Sequence, residues 1–141
     1  MNARWKIFVT STLVACLLLA GCATDRRNQS LEKTLDGYAA AVRWGSFEQA
    51  AAFLGPKYRK QHPLTDLEMA RYHQVRVSEY DAGSGPVPQS KFVVHQVVHI
   101  GLINVHSQSE RTIIDRQTWT YDPKTDHWWL TSGLPDITPR H

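Results

Sequence analysis

At Tyr72 the hydrophobic pattern of this 141-residue chain changes period, from the three-to-four spacing of helices to the alternation of strands. A chain written in this order buries a helical stripe against one face of a sheet, so the class is α+β: an N-terminal helical hairpin packed on a curved antiparallel sheet of about four strands.

The helical half reads as three segments. Ser30 is placed to cap a helix in which Leu31, Leu35, Tyr38, Ala39 and Val42 share a face, with Gly45 supplying a left-handed end. Ser46 and Gln49 form a capping-box pattern for a second helix, Phe47 to Leu54, which Gly55-Pro56 stops. Thr65 and Glu68 repeat the box before a short helix near 65–71. Between these, Lys57, Arg59 and Lys60 lie among prolines and read as a solvated turn.

Beyond Tyr72, His73 to Tyr80 alternates, 82–86 has loop composition, and Lys91 to His106 is rich enough in valine and isoleucine for a long strand. Gly101 inside it predicts a bulge or bend. A third strand over Arg111 to Tyr121 turns through 122–126 into a fourth, His127 to Thr131, before Gly133-Leu134-Pro135 ends regular structure.

The N-terminus has a different job. Arg4 and Lys6 precede an apolar run from Ile7 to Leu19, which is the layout of an export signal. The run is shorter than the ~20 residues of a spanning helix and is interrupted by Thr10, Ser11 and Thr12. Leu19-Ala20-Gly21-Cys22 resembles the lipobox of bacterial prolipoproteins. The resemblance implies cleavage before Cys22, acylation of that cysteine, and a mature protein held by outer-membrane lipid and facing the periplasm. Ala23 stands where an aspartate would resemble the inner-membrane retention signal. The alternative is an ordinary secretory signal with a chance cysteine. On this reading residues 1–21 are signal, 22–29 a lipidated polar tether and 30–141 one domain, with Arg26 and Arg27 either solvated in the tether or touching lipid phosphates.

Removing residues 1–21 takes away two cations, Arg4 and Lys6, and no acid, so the net charge falls from +3 to +1. That near-neutral balance excludes a nucleic-acid partner, which needs a basic face. Both cysteines, Cys16 and Cys22, fall in the signal or at its edge. The mature domain is thereby expected to lack thiols, disulfides and cysteine nucleophiles. Roughly 110 residues suffice for one core.

Candidate chemistry is sparse. His95 and His99 invite comparison with a zinc-binding helix, but Gln96 replaces the glutamate base, and four residues of strand separate the imidazoles by about 13 Å. No metal and no cofactor is implied. Asp115 and Gln117 should share a sheet face with Trp119 and Tyr121, and Arg116 the other with Ile114. Asp115 then either joins His95 or His99 as an acid–base dyad or makes a cross-strand pair on a solvated face. Trp128 and Trp129 face opposite ways, so one is expected to present a partner or ligand surface.

The order of elements, with the tryptophan-rich last hairpin around Trp119, Trp128 and Trp129, resembles the nuclear-transport-factor-2-like (NTF2-like), or cystatin-like, family over about residues 30–132. That family includes isomerases, dehydratases, binding subunits and envelope lipoproteins, so the resemblance implies a fold and not an activity. Two functions stand: a non-enzymatic binding or scaffold module of the envelope, engaging a protein or small ligand, and a small pocket hydrolase or isomerase using a His–Asp pair.

Overall fold

The computed structural model describes the backbone of residues 3–139 and the side chains of residues 21–139. The expected export signal thus lies outside the described side chains, apart from Gly21. Helix α1 (Ala3–Trp44) leads into three short helices, α2 (Phe47–Ala51), α3 (Pro56–Gln61) and α4 (Asp66–Tyr72). Five strands follow: β1 (Val75–Asp81), β2 (Val87–Ser90), β3 (Val93–Asn104), β4 (Glu110–Asp122) and β5 (His127–Leu130). The architecture is α+β, with helices against a curled antiparallel sheet.

In α1 the core-facing side chains are Leu31, Thr34, Leu35, Tyr38, Ala41 and Val42; Leu31, Leu35, Tyr38 and Val42 are as expected, whereas Ala41 and not Ala39 packs on the core. The expected start at Ser30 is not observed. The helix runs through it, and the Ser30 carbonyl accepts the Thr34 hydroxyl at 2.8 Å. Residues 22–29 are therefore helical. At the other end Gly45 does not take the left-handed conformation; its N–H still reaches the Ala41 carbonyl at 3.1 Å.

The Ser46 hydroxyl caps α2 by accepting the Gln49 N–H, but that helix closes at Ala51. Residues 53–55 then leave helical geometry to pair with β5, through Leu130 N–H to Phe53 O (2.9 Å) and Gly55 N–H to Leu130 O (3.0 Å). The second arm of the expected hairpin is thus little more than one turn, because its last residues protect a sheet edge. The basic stretch read as a solvated turn is helix α3, opened by Pro56 at its first turn. For α4, Thr65 and Glu68 form the full reciprocal capping box.

In the sheet, β3 is central: β4 and then β5 lie on one side, and β1 and β2 pair in succession along the other. The inner face gathers Val94, Val98, Ile100 and Leu102 of β3, Trp119 of β4 and Trp128 and Leu130 of β5 against Tyr38, Val42, Phe47, Ala50 and Leu54. Tyr38 sits at the centre, edge-on to Trp119 (5.2 Å) and Phe53 (5.6 Å). The irregularity expected at Gly101 falls on its partner strand. The register of β1 slips between Val77 and Glu79, opposite Leu102 and Gly101. Gly101 makes room for it, since a Cβ there would lie 2.5 Å from Ser78 Oγ and 3.3 Å from the Glu79 nitrogen.

The chain after β5 has no regular structure and straps the helices to the sheet. Gly133, at φ +90°, lets the backbone pass under the Tyr58 ring. The Tyr72 hydroxyl donates to the Pro135 carbonyl at 3.0 Å, and the Arg111 guanidinium to the Ile137 carbonyl.

Candidate functional site

The alternation of β4 places Asp115, Gln117 and Trp119 inside and Ile114 and Arg116 outside. The division of faces matches the sequence; the environment of Asp115 does not. Its face is buried, leaving 8 % of the residue accessible, instead of being a solvated sheet surface. Its partner is also not across a strand: Gln117, two residues on, donates its amide N–H to Asp115 Oδ2 at 2.8 Å. The same Nε2 reaches the Tyr80 hydroxyl at 3.1 Å, while Gln117 Oε1 accepts the Trp119 indole N–H at 3.1 Å. Gln117 therefore organises a chain of polar groups through an otherwise apolar interior.

Burial raises the Asp115 pKa to about 6, against the lowering effect of the Gln117 hydrogen bond. Burial likewise raises Tyr80 to about 12 and Tyr38 well above the usual phenol value, with the Asp115 charge adding to both. Among the described residues two buried polar atoms have no hydrogen-bond partner, Tyr38 Oη and Gln96 Oε1. The inner face thus carries a carboxyl group that titrates near neutrality, surrounded by phenols and amides.

Neither histidine belongs to that face. In the β3–β4 register His99 lies opposite Ile114, His95 opposite Thr118, and Val98 opposite Asp115. His95 and His99 project outward and are exposed, whereas Val98 and Asp115 point inward. The backbone of the sheet separates both imidazoles from the carboxylate, so the His–Asp dyad is not formed. Among the described residues no three His, Cys, Asp or Glu side chains gather to hold a metal ion.

The outer face is the more unusual surface. Val97 and Ile114 remain 41 % and 56 % exposed in the middle of the two longest strands. They are diagonal neighbours, Val97 pairing with Arg116 and Ile114 with His99. Val87, paired with His95, is also exposed. Trp129 is half-buried near the sheet edge, its ring 4.2 Å from that of His127. Trp128 offers no such surface. It is 2 % exposed, and its indole N–H donates to the Arg27 carbonyl at 3.2 Å. Of the two tryptophans, only Trp129 stays available to a partner.

A groove of about 320 Å³ opens where the C-terminal strap crosses the sheet, lined by Arg71, Gln74, Asn104, Arg111, Ile137 and Thr138 among others. Sequence reasoning did not single out its arginines, because they come from α4 and β4 and meet only through the fold. Among the described residues no helix is long and apolar enough to cross a membrane. Comparison with protein-family models, curated protein sequences and solved structures returns no match.

Proposed function

We propose that this protein is a lipid-anchored module of the bacterial envelope, acylated at Cys22, facing the periplasm from the outer membrane, and acting by binding a protein partner. The fold proposed for it is NTF2-like, on the order of its elements. The observation that carries the binding reading is the outward pair Val97 and Ile114. Solvated strand faces alternate to polar residues at such positions, and an apolar pair ringed by His95, His99 and Arg116 fits a contact surface with an apolar centre and a polar rim. The pocket-enzyme reading loses its acid–base pair, since the sheet lies between Asp115 and the histidines.

Two measurements test this in cells. A photo-cross-linking side chain at position 97 or 114 should yield a discrete adduct that the same group at exposed Asp36 does not. Identical patterns from all three positions, or none, would remove the partner surface. For the anchor, Cys22→Ala should abolish fatty-acid labelling and move the protein from membranes to the soluble fraction. Retention of the label in that variant would place the acyl group elsewhere.

A further inference from the structure

Where helix α1 passes the proposed anchor position it is already part of the domain. Residues 22–29 are helical, and the Arg27 backbone is tied to the last hairpin by the Trp128 indole. At 1.5 Å per residue, Cys22 lies only about 7.5 Å along the axis from Arg27. A domain attached in this way cannot hang at a distance from the bilayer. One end of it must sit at the headgroups.

The residues at that end suit the position. The β2–β3 turn carries Lys91 and Phe92, and Phe92 is 37 % exposed. The Phe92 carbonyl accepts the Tyr121 N–H at 2.8 Å, and the two rings stack with centroids 5.9 Å apart. The Arg27 guanidinium stands 6.0 Å and 5.9 Å from those two ring centres, and the Lys91 ammonium 5.3 Å from Phe92. Arg26 lies close enough to act, with Arg27, on the Tyr121 phenol electrostatically. Acidic groups share this end, and two are engaged within the β4–β5 turn. Asp122 accepts the Lys124 N–H and the Thr125 hydroxyl, and Asp126 accepts the Tyr121 hydroxyl at 2.6 Å. Asp25 precedes the arginines on α1 and is exposed.

We infer that Arg26, Arg27, Lys91 and the exposed ring of Phe92 form a docking surface for anionic phospholipid headgroups, which fixes the orientation of the domain on the membrane. The inference rests on acylation of Cys22. Aromatic rings flanked by cations match the interfacial layer, where the ring enters the headgroup region and the cations meet phosphate. Docked this way, the long axis of β3 rises from the membrane. The β3–β4 turn stands roughly 36 Å away, and the outer sheet face is left open.

The test uses acylated protein purified from membranes, in which an introduced cysteine is the free thiol. Spin labels at Gln89→Cys, near the docking end, and at His106→Cys, in the far turn, are read against a lipid-attached paramagnetic relaxer. In phosphatidylethanolamine–phosphatidylglycerol vesicles the label at 89 should relax strongly and that at 106 should not; the difference should shrink in phosphatidylcholine. Arg26→Gln/Arg27→Gln/Lys91→Gln should weaken the docking at least roughly tenfold, each cation being worth about fivefold at an anionic surface. Circular dichroism of that variant confirms folding. Phe92→Ser, a change at an exposed turn, provides a second variant expected to reduce relaxation at 89. Acylated protein whose two labels relax alike in both vesicle types would overturn the docking surface and leave the anchor intact. Mass spectrometry showing no fatty acid on Cys22 would overturn the anchor, and the inference with it.

Discussion

Asp115 is a carboxyl group whose ionisation the fold resists. Its pKa rises from 3.8 to about 6 in the folded protein, chiefly because it is buried. Between those values the folded chain holds a proton that the unfolded chain has released, so stability falls as pH rises through this window. Below pH 3.8 the group costs nothing on this account; above pH 6 its charge costs up to about 3 kcal/mol. Asp115→Asn, which keeps an acceptor for Gln117, should raise the urea midpoint at pH 7 and flatten its dependence between pH 4 and 6. Equal midpoints for variant and wild type at pH 7 would mean that the carboxylate is solvated after all. The sequence showed Asp115, Gln117 and Trp119 on one side of a strand, because alternation is a local property. It did not show the histidines on the other side of the sheet. That depends on register between β3 and β4, and a shift of one residue exchanges faces. Nor did it show that Gln117, an unremarkable polar residue on its own, links Asp115, Tyr80 and Trp119.

At the scale of elements, what could be read tracks where the stabilising contacts come from. The long strands and the apolar stripe of α1 carry their own periodicity and were legible. Helix α3 has Tyr58 as its only sizeable apolar side chain, which packs with the C-terminal strap at Gly133, so no stripe announces it. Strand β2 is exposed at all four residues and contains Pro88, and it exists because β3 offers it an edge. The first turns of α1 past Cys22 are polar and are held by Trp128, about a hundred residues along the chain. Gly101 was legible as an irregularity, though not as the place where β1 bulges. Its Cβ-less position is tight on both sides: Ser78 Oγ would move, but the Glu79 backbone nitrogen at 3.3 Å is held in the sheet. Gly101→Val should therefore cost about 1–3 kcal/mol in urea unfolding, and Ser78→Gly in the same chain should recover part of it. No recovery would shift the strain from the bulge to the Glu79 backbone.

For the whole molecule, the start of the described α1 side chains and the strap after β5 are both fastened to the domain by hydrogen bonds to backbone carbonyls. Tyr72 and Arg111 hold the carbonyls of Pro135 and Ile137, and Trp128 holds that of Arg27. The last of these decides how the domain would relate to the proposed anchor at Cys22, because a helix is stiff over a few turns whereas a polar coil is not. Amide hydrogen exchange separates the two states. If α1 is continuous from Cys22, the amides of residues 26–29 should exchange well below random-coil rates, though faster than those of 34–42, which lie on the core. Trp128→Phe keeps an aromatic ring in the core but removes the donor to Arg27. It should accelerate exchange at 26–29 by more than at Val98 or Ile100, whose protection reports global opening. A uniform acceleration would show only that the core has been loosened. Random-coil exchange at 26–29 in the wild-type protein would return this segment to a flexible tether, and the domain would then be free to turn about the proposed anchor.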